Sequence, residues 1–154
     1  MSRRRKQREL AIQLVYAMDL TGDKFEDARY RFTQVDPARR KAWGKFAERL
    51  ASQCEAHREE IDEKLSNALK NWRMERLAAI DRAMLRLAIC ELICFEDIPI
   101  RVTINEYIEL ARDFGNDESP AFINGVLDAV AREFPEKDFQ VGKTDSAAES
   151  TEGK

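Results

Sequence analysis

The sequence predicts an all-α fold, and three observations support this prediction. Glycine and proline, which interrupt helices, number only six and four in 154 residues. Apolar residues recur at a spacing of three and four, and no strand-like alternation lasts more than a few residues. Residues 75–95 are apolar in nearly every direction of a helix, as in a helix buried on several sides. We therefore expect a bundle of helices around this central segment.

The length and composition indicate one domain with strongly charged outer faces. Apolar residues make up 44% of the chain and charged residues 36%. No apolar run approaches the ~18 residues that span a membrane. We divide the chain into a basic arm (residues 1–8), a single all-helical domain (9–138) and a disordered tail (139–154), because residues 141–154 carry no aromatics and many Ser, Thr, Ala and Glu.

The first half of the chain predicts several helices in order. Residues 7–20 carry one apolar stripe, which Thr21-Gly22-Asp23 ends. Residues 25–32 form a weaker helical segment. Asp36 and Pro37 open the next helix as its N-cap and first residue. The apolar stripes that follow, from Trp43 to Leu69, fit either one long helix or two.

The second half contains several helix-end signals. Thr103 and Glu106 have capping-box spacing, which predicts a helix start at Thr103. That helix should end at Gly115 in the left-handed conformation. Ser119 should then cap a last helix, with Pro120 as its first residue.

Further expectations concern the interiors of these helices. Asp81, Arg82 and Arg86 interrupt the central helix and should lie near one edge. Phe134-Pro135 should stop the last helix, in which Gly125 should permit close approach of a neighbouring helix.

The positive charge is concentrated at the N-terminus. The first eight residues carry five cations and no acid, so a net charge of −3 for the whole chain leaves −8 on the rest. Such a block is typical of an arm that binds polyanions, since each cation can displace a counterion from a phosphate backbone. The alternative is a disordered, solubilising tail. The residues after it include Glu9, Gln13 and Asp19, which argues against a signal peptide and favours the cytoplasm.

The three cysteines predict neither a disulfide framework nor a metal site. Cys54, Cys90 and Cys94 are an odd number without CxxC spacing. Cys90 and Cys94 share a helical face, but tetrahedral zinc takes four ligands and His57 is far away in sequence. We predict core packing for the pair and a surface position for His57. With one histidine and no nucleotide or nucleophile motif, we expect no catalytic residues, metal or cofactor.

Three segments together resemble the NusB family of transcription antitermination factors. They are RRKQRELAIQLVY (residues 4–16), DRAMLRLAICEL (81–92) and the pattern INE…ELA…FG…FINGVLD (104–128). The resemblance implies two small packed helical bundles with about seven helices. It also implies binding of boxA, a single-stranded element of nascent ribosomal RNA, together with the ribosomal protein NusE. The pair joins an antitermination complex on RNA polymerase, without catalysis.

The resemblance and the chemistry of single-stranded RNA together select nine candidate residues. Cations would contact phosphates, aromatic rings would stack on bases and carboxylates would accept from base amino groups. The candidates are Arg3, Arg4, Arg5, Lys6, Arg8, Tyr16, Asp81, Glu118 and Phe122. The alternative for Tyr16 and Phe122 is core packing, and for Asp81 and Glu118 a solvated carboxylate. Lys6, Gln7, Pro120 and Ala121 depart from the family's usual residues.

Rival functions differ in what they bind. The chain is too short to include the methyltransferase to which a similar RNA-binding domain is fused. A protein adaptor would bind partners without RNA, and a homodimer that covers the arm would be an inactive store. The free protein is expected to be a monomer or a homodimer.

Overall fold

The computed structural model describes residues 3–70, 74–135 and 137, and this part of the chain folds into eight α-helices. They are α1 (Arg3–Thr21), α2 (Phe25–Val35), α3 (Pro37–Ala42), α4 (Lys45–Ala56), α5 (Arg58–Leu69), α6 (Ala79–Cys94), α7 (Ile100–Phe114) and α8 (Ser119–Ala131). A short 3-10 helix, Met74–Arg76, precedes α6. None of the described helices is long and apolar enough to cross a membrane. The tail, predicted to be disordered, lies outside the described residues.

The apolar helix α6 lies at the centre, as predicted. It contacts α1, α4, α5, α7 and α8. The apolar side chains form two clusters, one mainly around α6 and a smaller one between α1, α2 and α4. The prediction of an all-helical protein with two packed bundles is thus confirmed, with eight α-helices in the described residues against about seven expected.

The N-terminal segments follow the sequence signals with one change. The α1 helix ends at Thr21, and Gly22 takes the positive φ of 75° that the turn requires. Asp36 caps α3 by accepting from the Ala38 backbone N–H at 2.9 Å. However, α3 stops at Ala42, and the chain from Lys45 to Leu69 is two helices that meet at His57.

Several predicted helix ends were wrong. The α6 helix begins at Ala79 and not at residue 75. The α7 helix begins at Ile100, one turn before the predicted capping box, because Thr103 is buried and turns its hydroxyl to Glu91. Gly115 ends α7 with a φ of −94°, outside the left-handed region.

The start of α8 also differs from the prediction. Glu118, and not Ser119, is its N-cap. The helix ends at Ala131, before Phe134. Gly125 is exposed, and a Cβ there would meet nothing within 4 Å, so it does not serve close helix packing.

The predicted edge position of three charged residues in α6 is wrong for two of them. Asp81 and Arg86 are buried, each at 7% exposure, and Arg82 is half-buried. Arg82 donates to Asp19 and Arg86 to Asp62, so ion pairs tie α6 to α1 and α5. Because each arginine is paired with a carboxylate, its charge can be accommodated within a helix that is otherwise apolar.

Candidate nucleic-acid interface

The basic segment forms the first two turns of α1 and is an ordered part of the bundle from Arg3 onward. The alternative of a disordered tail is therefore wrong for residues 3–8. Arg3, Arg4 and Lys6 are exposed, Arg5 is half-buried and Arg8 is buried. Helical geometry thus separates the five cations of residues 3–8 into an outward group (Arg3, Arg4 and Lys6) and an inward group (Arg5 and Arg8).

Arg8 forms a buried ion pair with Glu91 of α6. Its Nε and Nη2 donate to the two carboxylate oxygens at 2.7 and 2.8 Å. The same carboxylate accepts from the Thr103 hydroxyl at 3.1 Å and from the Tyr107 hydroxyl at 2.8 Å. Burial opposes the charge on Arg8, but its hydrogen bonds to Glu91 and the charge of that carboxylate outweigh burial and raise the pKa of Arg8. Arg8 cannot contact a phosphate without breaking its ion pair with Glu91.

Arg5 makes a second paired contact, with α7. Its Nε and Nη2 donate to Glu106 at 3.0 and 2.7 Å. These hydrogen bonds lower the pKa of Glu106 despite partial burial. Glu106 is less buried than Glu91, with 20% of its side chain exposed. Arg5 is therefore positioned at the edge of the outward group.

The outward group has freer side chains. Arg4 stacks over the ring of Phe46 at 4.8 Å and lies 4.0 Å from the exposed Asp97. Exposed pairs of this kind contribute little to stability. Within the described residues, Arg3 and Lys6 have no carboxylate within ion-pair distance. These three cations are available to a phosphate backbone.

Gln7 attaches the basic segment to the α3–α4 connection. Its Nε2 donates to the Ala42 carbonyl at 2.7 Å, and its Oε1 accepts from the Gly44 and Ala47 N–H groups at 2.7 and 3.2 Å. The side chain is buried and uses its donor and its acceptor. In the sequence, Gln7 is notable only as a departure from the family's usual residues. No local pattern pairs it with residue 42, so this role could not be predicted.

Tyr16 lies on the exposed side of α1, beyond the basic segment. It is 36% exposed, so it is only partly committed to packing. It lines a groove between α1, α2, α3, the start of α6 and the end of α7, whose other walls are Gln13, Ala17, Phe32, Arg39, Ile80 and Phe114. An aromatic wall beside an amide and a guanidinium suits a nucleobase and its phosphate.

Asp81 and Glu118 occupy different environments near the start of α8. Asp81 is buried and accepts from the Ser119 hydroxyl at 2.8 Å, so the solvated alternative is wrong for it. Ser119 Oγ accepts in turn from the Asn116 N–H at 3.0 Å. Glu118 is exposed at the N-cap position. Asp81 thus fixes the turn that carries Glu118.

Phe122 is half-buried, so it is neither a fully packed core residue nor a fully exposed ring for base stacking. It packs against the main apolar cluster. Its ring also lines a second groove, between α8 and the end of α5, together with Leu69, Lys70 and Arg132. Phe122 therefore lines a different groove from Tyr16.

Cys94 lies beside His57, the single histidine of the sequence, although the two are 37 residues apart. Cys54 and Cys90 are buried, whereas Cys94 is half-buried with its Sγ 3.6 Å from His57 Nδ1. His57 is itself half-buried and not fully at the surface. No group of three or more metal-ligating side chains suited to a metal ion occurs among the described residues.

Comparisons with known proteins agree on one family. The profile of the NusB family matches residues 5–132. The transcription antitermination protein NusB of Geobacter sulfurreducens is 41% identical over 137 residues, covering 89% of this chain and 99% of that protein. The NusB of Myxococcus xanthus is 42% identical over 135 residues, covering 85% of this chain and 96% of that protein.

Solved structures show the same fold. T. maritima NusB superposes with a TM-score of 0.77 at 31% identity, covering 91% of this chain and 98% of that one. A structure of antitermination factors NusB and NusE in complex with double-stranded RNA matches with a TM-score of 0.73 at 23% identity, covering 87% of this chain and 99% of that one. From its sequence and its fold, this chain belongs to the NusB family.

Proposed function

We propose that this chain is a transcription antitermination factor that binds boxA-type single-stranded RNA in nascent ribosomal RNA transcripts. It acts in the cytoplasm, together with NusE, in a complex that keeps RNA polymerase processive. Its role is binding and not catalysis. The observation that carries the proposal is the outward group of α1, in which Arg3, Arg4 and Lys6 are exposed on a rigid helix. The antitermination proteins at 41–42% identity support it.

The nine candidate residues take different roles in this proposal. Arg3, Arg4 and Lys6 contact phosphates directly, and Arg5 joins them when a phosphate competes for it with Glu106. Arg8 orients α1 through Glu91. Tyr16 stacks on an unpaired base, a contact of ~1–3 kcal/mol.

The remaining three candidates lie around the start of α8. Glu118 accepts hydrogen bonds from base amino groups, and Asp81 positions it through Ser119. Phe122 contributes its exposed edge to a base that reaches the second groove. Stacking and hydrogen bonding of unpaired bases are the general means by which proteins read single-stranded RNA.

A basic partner is needed because most of the protein repels RNA. Outside the first eight residues the net charge is −8. A basic ribosomal protein docked on an acidic face would reverse the local field and lengthen the cationic track. Binding of RNA and of the partner should then be coupled, each raising affinity for the other by the same factor.

The test is a titration of the full chain with boxA-type RNA at fixed salt, with NusE absent and at saturation. The proposal predicts weak binding alone and tighter binding with NusE, and weaker binding to RNA of scrambled sequence. Binding of NusE without any RNA affinity in either state would instead identify a protein adaptor. A homodimer that dissociates only when NusE is added would identify a store.

A further inference from the structure

A second basic cluster lies on α3 and the start of α4. Arg39, Arg40 and Lys41 form the last turn of α3, and Lys45 begins α4. Arg40, Lys41 and Lys45 are exposed. We call these three residues the α3 cluster.

The α3 cluster lacks the carboxylate partners that other surface arginines have. Arg31 pairs with Asp23 at 2.7 Å, Arg132 with Asp128 at 3.2 Å and Arg58 with Asp62 at 3.8 Å. In the part of the chain that the structure describes, no carboxylate lies within ion-pair distance of Arg40, Lys41 or Lys45. Arg40 donates to the oxygen of the neutral Gln34 amide, at 3.5 Å. Neighbouring like charges left unneutralised repel one another unless a polyanion is bound.

The α3 cluster is attached to the basic segment of α1. Gln7 forms hydrogen bonds with the Ala42 carbonyl and the Gly44 N–H, two groups that lie between Lys41 and Lys45 in the chain. Gln7 itself directly follows the exposed Lys6. The two groups of cations are therefore neighbours on the surface, although about 35 residues separate Gln7 from Ala42 in sequence. Together they form one cationic surface on an otherwise acidic protein.

The same surface leads to Tyr16. Arg39 lines the groove that contains Gln13 and Tyr16, with its guanidinium 4.2 Å from the centre of the Phe32 ring. From Lys6 to Tyr16 is ten residues of α1, or ~15 Å at 1.5 Å per residue. A few nucleotides of single-stranded RNA can follow this path with their phosphates toward the cations and a base at Tyr16.

We propose that the α3 cluster is a second phosphate-binding element, which extends the RNA track from the N-terminus of α1 along α3 to the groove at Tyr16. The proposal rests on the proposed function, since it assigns the path of the same RNA. Gln7 acts on it as a positioning residue, because it holds α3 against α1.

The test measures RNA affinity of the full chain against salt concentration, using boxA-type single-stranded RNA. The variant Arg40→Gln/Lys41→Gln removes two cations of the cluster. Its matched control, Lys24→Gln/Arg58→Gln, also removes one Arg and one Lys, from exposed positions at the other end of α1. A third variant, Arg3→Gln/Arg4→Gln/Lys6→Gln, reports on the proposed function itself. Melting temperatures verify that all the variants fold.

The proposal predicts that Arg40→Gln/Lys41→Gln lowers the slope of log affinity against log salt by about 1.4, that is about 0.7 per lost phosphate contact. The control should leave the slope unchanged. If only the α1 variant lowers the slope, the α3 cluster is not part of the track and the proposed function stands. An equal loss in the control would also overturn the proposal, since net charge alone would explain it. If the wild type shows no salt-dependent RNA binding, the proposed function fails and this proposal fails with it.

Discussion

Arg8 and Glu91 face each other in the protein interior with 2% and 0% of their side chains exposed, joined by two hydrogen bonds of 2.7 and 2.8 Å. This pair fixes the N-terminal half of α1 against α6 and α7. The outward cations therefore lie on a helix that is already ordered. RNA binding then loses less conformational entropy than it would if it had to order a flexible arm.

Replacing Arg8 should destabilise the protein. Arg8→Met leaves the Glu91 carboxylate buried without its cation, which costs about 3–5 kcal/mol in the free energy of unfolding. Denaturant unfolding measures this change. The control Arg3→Met, at an exposed position on the same helix, should stay within about 0.5 kcal/mol of wild type. Equal effects of the two substitutions would show that the pair does not anchor α1.

The ion pairs at Asp19 should make stability depend on acidity. Burial raises the pKa of Asp19, but hydrogen bonds and charge from Arg82 and Arg86 outweigh it, so the pKa of Asp19 in the folded protein lies below the ordinary value of an aspartate. A carboxyl of lowered pKa contributes stability above its unfolded pKa and loses it as pH falls through the folded pKa. The variant Asp19→Asn should therefore be less stable than wild type near neutral pH.

Acid unfolding checks the sign of this effect. The difference in unfolding free energy between wild type and Asp19→Asn should shrink steadily as pH falls below about 4. A difference that stays constant, or grows in acid, would contradict the account of the Asp19 site.

The two glycines Gly44 and Gly125 should respond oppositely to alanine. A Cβ at Gly44 would lie 2.8 Å from Gln7 Oε1 and displace the side chain that holds α3. Gly44→Ala should thus cost about 1–3 kcal/mol, as buried hydrogen bonds are lost. Gly125→Ala meets nothing and removes a glycine from a helix, so it should stabilise by about 0.5–1 kcal/mol. Thermal melts of both variants measure these changes in stability. If Gly44→Ala leaves the stability unchanged, Gln7 does not constrain the α3–α4 connection.

Cys94 should be the reactive thiol of the three. A hydrogen bond with Cys90 lowers its pKa to about 7 against the effect of burial, with help from the charges of His57 and Arg49. Hydrogen bonds with Cys54 and Cys94, followed by burial, raise the pKa of Cys90. Iodoacetamide near neutral pH should therefore modify Cys94 first, as peptide mass spectrometry would show, and Cys94→Ser should abolish the fast phase. Faster modification of Cys54 or Cys90 would refute this assignment.

Helix content and the central position of α6 were predictable because they follow from local periodicity. The starts of α7 and α8 were not, because long-range contacts decided them. Thr103 bonds Glu91 and Ser119 bonds Asp81, so these hydroxyls serve tertiary contacts and are not available as caps.

The basic block was evident from composition, but its division into inward and outward cations was not. That division depends on which side of α1 faces Glu91 and Glu106, two acids that are 83 and 101 residues away from their partners in sequence. Likewise, Gln7 and the α3 cluster become neighbours only in the folded chain, through the hydrogen bonds of Gln7 to Ala42 and Gly44. The sequence alone indicated one basic region, at the N-terminus.

The salt dependence of RNA affinity for Arg3→Gln/Arg4→Gln/Lys6→Gln, compared with wild type, tests the central claim most directly. The claim is that the outward cations of α1 bind RNA phosphates. Three lost contacts should lower the slope of log affinity against log salt by about 2, with the melting temperature unchanged. A variant that binds boxA-type RNA with the wild-type slope would contradict the claim.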